Sequence, residues 1–230
     1  MQDKNLNEFL NNYDETQYKH PSVTTDTLVF SIKNDELNVL LMWRNEMPYK
    51  NCWALPGGFV DFNEGLEDNV KRKLKEKVNL ENIKVEQLYT FGEVDRDPRT
   101  RVISIAYYSL ISNPDLVKET EEVKWFGSID YIKYLAFDHK HILEVAIERL
   151  RGKLDYTDIA FDLLRDKKHF TLLELRKVYE AILGKKLDVP NFRRMFNAKY
   201  VKTGKAVKLN EKSNEFFGRP SELYSFVGGK

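Results

Sequence analysis

Cysteine is almost absent from this chain. Cys52 is the single cysteine among 230 residues, so no disulfide can form within the chain and no cysteine cluster can hold zinc. So little cysteine is typical of the reducing interior of a cell, and Cys52 is interpreted as a small filler beside Trp53.

Long apolar runs are also missing. No stretch approaches the roughly 18 apolar residues that a membrane span needs, and the opening MQDKNLNEFL lacks the apolar core of a secretory signal. With 42% hydrophobic residues, the composition is ordinary for a globular protein. The sequence therefore predicts a soluble, cytoplasmic protein with no membrane partner.

The net charge of +1 hides an asymmetry between the two ends of the chain. From residue 151 to residue 230 there are 18 lysines and arginines against 10 acidic residues, which gives +8, whereas residues 1–150 carry −7. Such a basic region is typical of a protein that binds a polyanion, and nucleic acid is the first candidate. We therefore expect two domains, 1–150 and 151–230, each long enough to bury a core.

The segment from Gly58 to Leu80, GFVDFNEGLEDNVKRKLKEKVNL, resembles a Nudix box. In that pattern a glycine, a glutamate, an arginine-glutamate pair and a further glutamate pair occur at fixed spacing. The positions in register are Gly58, Glu64, Arg72, Leu74, Glu76 and Leu80, whereas Lys73, Lys77 and Asn79 depart from it. The resemblance implies an α/β Nudix fold, with a mixed sheet and flanking helices, for residues 1–150.

The departures bear on catalysis. In the family, glutamates of the box lie about one helical turn apart and hold divalent cations against a substrate pyrophosphate. Lys73 and Lys77 replace two of three such carboxylates, and a fixed ammonium repels a cation. We therefore expect no bound metal, no catalytic residue and no enzymatic activity. The lysines of this helix are either an ordinary solvated face or, at Lys73 and Lys77, a substitute for the metal's charge that holds a ligand phosphate.

Apolar periodicity outlines the elements around the box. Helical spacing in residues 5–18 predicts a leading helix, and residues 25–32 and 37–43 are expected to form a hairpin of two strands. The other predicted elements are strands over 85–91, 102–111 and 122–126 and a helix over 137–150.

The C-terminal region has the pattern of an α+β winged helix-turn-helix domain. A capping-box signature at Thr171 and Glu174 opens a helix that Gly184 closes, and Asp188 caps the next helix. Two segments that alternate apolar and polar residues, 201–209 and 222–227, predict a hairpin wing.

The second helix of this pair has two different faces. Phe192, Phe196 and Tyr200 recur every four residues and are expected to be buried. The exposed donors predicted to contact DNA are Asn191, Arg193, Arg194, Asn197 and Lys199 near this helix and Lys202, Lys205 and Arg219 on the wing. The alternative is a basic helical cap that binds nothing.

Further motifs extend the resemblance over nearly the whole chain. They are LPGGFV at 55–60, QLYTFG at 87–92, DRDPR at 95–99, FDH at 137–139, FTL at 170–172, NFRR at 191–194 and GRPSELY at 218–224. Together they resemble the Nudix-related transcriptional regulators, which fuse a Nudix sensor to a winged helix-turn-helix. One branch of that family represses NAD-metabolism genes and is released from DNA by ADP-ribose or a related nucleotide. Another controls sugar catabolism, including arabinose use.

This resemblance implies a ligand-responsive regulator, expected to be a repressor and a homodimer, that binds a double-stranded DNA operator and needs no cofactor. Its effector is expected to be an ADP-ribose-like nucleotide or a sugar. The candidate ligand contacts are Arg44, Glu64, Arg72, Lys73, Glu76, Lys77, Arg96, Asp97 and Arg99.

Two alternatives stay open at this point. Arginine suits phosphate because its forked donors make bidentate contacts, but Arg72 is equally able to pair with Glu64 or Glu76 and hold the box loop. The alternative function is an active hydrolase of nucleoside diphosphate derivatives that uses Glu64, Glu67 and Glu76 as metal ligands.

Overall fold

The computed structural model describes residues 2–127, 132, 134–213 and 220–228, with side chains described from Asn5 onward. Within these residues the helices are α1 (Gln2–Asn12), α2 (Leu66–Val78), α3 (His139–Tyr156), α4 (Leu172–Leu183) and α5 (Val189–Phe196). The strands are β1 (Ser22–Lys33), β2 (Glu36–Trp43), β3 (Trp53–Ala54), β4 (Gly57–Phe59), β5 (Glu86–Phe91), β6 (Val102–Leu110), β7 (Val123–Phe126), β8 (Phe170–Thr171), β9 (Ala206–Ser213) and β10 (Ser221–Phe226).

The first domain is built on a mixed sheet in the order β3-β2-β1-β6-β5, with β4 paired to β1 and β7 paired to β2. The central strand β1 runs antiparallel to β2 and parallel to β6. This arrangement, with helices on both faces, confirms the predicted Nudix fold. The predicted strands agree with β1, β2, β5, β6 and β7 to within a few residues.

Alternating side chains of β1 divide between two apolar layers, because successive residues of a strand point to opposite faces. Val29 packs with Leu74 of the box helix α2 on one face. Leu28 and Phe30 pack with Ile142 and Leu143 of α3 on the other face. The sheet therefore holds the box helix on one side and the long helix α3 on the other.

The helix α3 crosses the expected domain boundary at residue 151 and continues without interruption to Tyr156. The apolar layer around it is also continuous, running from Leu143 through Leu150 and Phe161 to Phe196. Lys153 on α3 adds an ion pair with Glu86 on β5 at 2.5 Å. The Nudix fold and the C-terminal fold therefore share one core.

The C-terminal domain has the predicted helix pair. Thr171 and Glu174 form a complete capping box, and Gly184 ends α4 in the left-handed conformation with φ of 68°. Asp188 caps α5 through the backbone N–H of Asn191 at 3.0 Å. Phe192, Phe196 and Tyr200 are buried, as their spacing predicts.

The wing has one strand more than the predicted two-stranded hairpin. It is a three-stranded sheet, β8-β10-β9, and β9 begins at Ala206 instead of residue 201. A π-helical segment, Asn197–Val201, follows α5 directly and occupies the start of the expected strand. The two-residue strand β8 is too short to be predicted from alternation.

The leading helix is present as α1 and is shorter than predicted. Its apolar stripe, Leu6, Phe9 and Leu10, is more than half exposed. Among the helices of the described residues, none combines the length and the apolar character that crossing a membrane requires.

Candidate ligand cleft and nucleic-acid interface

Asn69 holds the box loop onto the sheet. Its side-chain oxygen accepts a hydrogen bond from Thr25 at 2.5 Å, and its nitrogen donates to the Phe59 carbonyl and to Glu64, both at 2.7 Å. Gly57 adjoins this loop where a Cβ atom would lie 2.3 Å from the Thr25 carbonyl oxygen, so only glycine fits. Asn69 is buried, and the sequence did not indicate this role.

Arg72 is occupied by carboxylates. Its guanidinium reaches Glu64 at 2.5 Å, Asp61 at 2.9 Å and Glu76 at 3.2 Å. The pKa of Glu64 falls to about 2, chiefly because Arg72 donates hydrogen bonds to it. Of the two interpretations of Arg72, the contacts match the one in which it holds the loop. They also place Glu64 and Glu76 in internal pairs and not at a free metal site.

Lys73 and Lys77 lie beside the Arg72–Glu76 pair. Each ammonium has three donors and makes one hydrogen bond within the described residues. The Lys73 ammonium is 3.4 Å from Glu76, and its stem packs against Gly58. Lys77 is exposed as a residue, but its ammonium makes a part-buried contact in which it donates to the Gly57 carbonyl at 2.5 Å. Burial lowers the pKa of Lys77, and the nearby charges of Lys73 and Arg44 lower it further. Such crowding of cations favours an anion between them.

Arginines and aromatic rings form a wall beside Lys77, near enough for the charge of Arg44 to lower the pKa of that lysine. The Arg44 guanidinium lies 5.0 Å from the ring centre of Phe137, and Arg99 lies 5.4 Å from Phe59 and 5.9 Å from Phe137. Tyr49 packs against Phe137 at 4.7 Å. Phe137 has a left-handed backbone, with φ of 53°, which is unusual for an aromatic residue and often marks a functional position. Phe59, Phe137 and Tyr49 were not among the ligand contacts predicted from the sequence.

Arg96 and Asp97 are buried behind these arginines and rings, and they do not face a ligand. Arg96 has a side-chain exposure of 3% and donates to Asp138 at 2.7 and 2.9 Å. Asp97 accepts two hydrogen bonds from the Arg99 guanidinium, at 2.7 and 3.0 Å. The structure therefore corrects both predicted ligand contacts: they hold Asp138 and Arg99 in place.

The buried side chain of His139 also helps to hold this part of the structure in place. The backbone N–H of Leu55 donates to Nδ1 of His139 at 2.9 Å, so the other nitrogen, 3.4 Å from Asp26, carries the proton. Burial alone would raise the pKa of Asp26, but hydrogen bonds from His139 and Ser104 and the positive charge of Arg96 lower it. Asp26 is thus a buried anion that fixes both His139 and Arg96.

The exposed face of α5 presents the predicted donors Asn191, Arg193 and Arg194. Arg194 donates a hydrogen bond to Asn191. A groove of about 470 Å³ separates α5 from the wing, and Arg193, Lys212 and Glu222 line it. The Glu222 carboxylate pairs with Lys208 at 2.5 Å, which puts an acidic group in this otherwise basic face.

Two lysines assigned to DNA point inward. Lys199 donates to main-chain carbonyls at the end of α3, the nearest at 2.5 Å, and Lys205 pairs with Asp158 at 2.8 Å. The structure corrects these two assignments, since both ammoniums are occupied within the protein. Asn197 is half-buried in the π-helical segment, whereas Lys202 is exposed. Arg219 lies outside the described residues.

Comparison with known proteins identifies the families that the two parts of the chain match. Residues 23–146 match the family model of the NUDIX domain, and residues 160–226 match that of the NrtR DNA-binding winged helix domain. The chain is 35% identical over 225 residues to the ADPR responsive transcriptional repressor NtrR of Acinetobacter baylyi, covering 95% of this chain and 87% of that protein. The chain belongs to the Nudix-related transcriptional regulator family.

Solved structures of such regulators share the architecture. The crystal structure of Shewanella oneidensis NrtR complexed with a 27mer DNA is 34% identical, with a TM-score of 0.74 over 89% of this chain and 93% of that chain. The NUDIX domain of the same protein complexed with ADP ribose is 37% identical, with a TM-score of 0.56 over 63% of this chain and 97% of that one. Membership in the Nudix-related transcriptional regulators therefore extends over both domains, as the motifs predicted.

Proposed function

We propose that this chain is a transcriptional repressor that binds operator DNA as a homodimer and leaves it when ADP-ribose occupies the Nudix cleft. The observation that carries the proposal is a cluster of cations and aromatic rings beside the box, in which Arg72 binds both Glu64 and Glu76, joined by one helix to a basic winged helix. The A. baylyi relative responds to ADPR, and the S. oneidensis relative was crystallised with DNA and with ADP ribose.

The cleft offers both kinds of contact that ADP-ribose requires. The Pro48 carbonyl takes Nε and one terminal nitrogen of Arg44, and Asp97 takes the same two groups of Arg99. The other terminal nitrogen of each arginine is left for the diphosphate, and the ammoniums of Lys73 and Lys77 supply further positive charge. Phe137 lies between the two arginines and offers a ring against which a nucleobase can stack. A free pentose lacks both the diphosphate and the base, so these contacts favour the nucleotide over the sugar alternative.

The residues of the box do not fit the divalent cations used by Nudix hydrolases. Hard cations need several free oxygen ligands, but Glu64 and Glu76 are both bound by Arg72. Within the described ranges no group of three or more His, Cys, Asp or Glu side chains could hold a metal ion. We infer that Lys73 and Lys77 provide the positive charge in place of a metal and that the domain binds its nucleotide without hydrolysing it.

We assign the nucleic-acid contacts to those residues predicted to bind DNA whose side chains are exposed in the structure. Arg193 and Arg194 lie on the outer face of α5, where an inserted helix reads base edges. Lys202 is exposed immediately after the π-helical segment and suits a phosphate. A dimer would place two such helices on two half-sites, and an effector that alters their separation lowers affinity.

The test is a titration of a fluorescent operator, selected from random duplexes by the purified protein, with and without ADP-ribose. We expect ADP-ribose to weaken DNA binding by about 5- to 150-fold, the usual range of coupling between two sites. No effect of ADP-ribose on DNA affinity would refute the proposal, and release by arabinose would favour the sugar branch. Rapid formation of AMP from ADP-ribose with magnesium would show a hydrolase instead.

A further inference from the structure

Helix α3 begins beside the proposed ligand site. Phe137, two residues before it, contacts the guanidiniums of Arg44 and Arg99 at 5.0 and 5.9 Å. Asp138, which precedes the first turn, is held by Arg96 through two hydrogen bonds. A nucleotide that engages Arg44 or Arg99 therefore changes the contacts of the residues from which α3 starts.

The other end of α3 is attached to the DNA-binding domain. The helix has 18 residues, and its length is about 27 Å at 1.5 Å per residue. The Lys199 ammonium donates to the carbonyl oxygens of Leu154, Asp155 and Thr157 at 2.5, 3.1 and 3.2 Å. The last carbonyls of a helix lack partners within it and carry partial negative charge, so they favour an ammonium at this position.

Two features tie this contact to the recognition helix α5. Lys199 lies in the π-helical segment that continues α5, and π-helical turns often occur at functional positions. Lys205, at the entry to the wing, pairs with Asp158, two residues after α3 ends. The C-terminal end of the recognition helix and the start of the wing are therefore both fixed to the end of one helix.

We propose that Lys199 and Lys205 are positioning residues that fasten the recognition helix to α3, so that ligand-driven movement of α3 repositions that helix on DNA. A rotation of α3 by about 5° would move its far end by about 2 Å, which is large on the scale of a hydrogen bond. The inference rests on the proposed function, because it explains how an effector in the cleft alters DNA affinity. It also assigns Lys199 a role other than contact with a phosphate.

The experiment measures DNA affinity with and without saturating ADP-ribose, and its dependence on salt, for Lys199→Met, Lys199→Arg and Lys202→Met. The methionine at 199 keeps the stem but removes the ammonium, and the arginine restores a donor of positive charge. Lys202 is the matched control because it is exposed, lies three residues away and makes no side-chain hydrogen bond or ion pair within the described part of the chain.

For Lys199→Met we expect the effect of ADP-ribose on DNA affinity to fall below about 3-fold, from the 5- to 150-fold typical of such coupling. The salt slope of DNA binding and the affinity for ADP-ribose alone should keep their wild-type values, and Lys199→Arg should recover most of the coupling. Lys202→Met should reduce the salt slope by about 0.9, as expected for one phosphate contact, and leave the coupling intact.

The opposite pattern overturns the inference. Full coupling in folded Lys199→Met would show that Lys199 does not transmit the effect of ADP-ribose. A salt slope lower by about 0.9 in that variant would make Lys199 a phosphate contact. If Lys199→Met does not fold, Lys205→Met takes its place, and full coupling there is equally contradictory. A wild-type protein that shows no coupling refutes the proposed function itself, so the two failures are distinct.

Discussion

Removing the ammonium of Lys77 tests the anion site most directly. An ammonium has three donors, and the Gly57 carbonyl takes one of them at 2.5 Å, so two remain for a ligand phosphate. A hydrogen bond to a charged group contributes about 1.5 to 3 kcal/mol, which corresponds to about 10- to 150-fold in affinity. We therefore expect Lys77→Met to weaken ADP-ribose binding by that factor.

Isothermal titration calorimetry with EDTA present measures this loss without any contribution from metal ions. The matched control is Lys75→Met on the same helix, since Lys75 is exposed and pairs with Glu81 at 3.3 Å away from Lys77. Equal affinities of the two variants would refute the assignment. A wild-type protein that binds ADP-ribose only with magnesium would refute the substitution of ammonium for metal.

The affinity for ADP-ribose should also depend on pH through Lys77, in a direction that follows from its lowered pKa. Burial and the charges of Lys73 and Arg44 lower the pKa of Lys77 in the free protein, and a bound phosphate would raise it again. Binding then takes up protons at alkaline pH, so affinity should fall as pH rises through the lowered pKa of Lys77. Calorimetry in buffers of different ionisation enthalpy measures this uptake, and Lys77→Met should abolish it.

Three further changes have expected outcomes. Arg193→Ala should weaken operator binding by about 1 to 3 kcal/mol, limited to particular base pairs if the contact is direct readout, and unchanged affinity in a fluorescence titration would contradict it. Phe137→Ala should weaken ADP-ribose by about 0.5 to 1.5 kcal/mol through lost stacking while DNA affinity without effector stays unchanged, as paired titrations would show. Phe196→Ala, at a fully buried ring, should destabilise the protein by about 3 to 5 kcal/mol in urea unfolding, and a loss below 1 kcal/mol would contradict the packing.

The order of elements was predictable because apolar periodicity and caps are local. The capping box of Thr171 and the repeat of Phe192, Phe196 and Tyr200 depend only on residues within one helix or its first turn. Each of these predictions agrees with the structure. The shared core along α3 was not predictable in this way, since periodicity indicates a buried face without naming its partner.

The partners of charged residues were the main errors, for a physical reason. A long side chain can take any of several partners, and the choice depends on tertiary placement. Spacing alone did not decide whether Arg72 contacts a ligand or holds the box loop. It also predicted a ligand contact for Arg96, which is buried and holds Asp138. For Lys199 the error has a specific cause: a π-helical turn holds more residues than an α-helical turn, so an α-helical projection gives the wrong direction for this lysine.

The shared core explains why a sensor and a DNA reader occupy one chain. If the two domains were joined by a flexible linker, contacts at one end would have no energetic consequence at the other. Here Leu150 on α3 and Phe196 on α5 belong to one buried layer, and packed layers move between discrete arrangements instead of deforming continuously. A difference of about 1 to 3 kcal/mol between two arrangements is enough to regulate binding. Under the proposed function, an effector that is bound without being hydrolysed holds that difference for as long as it is present.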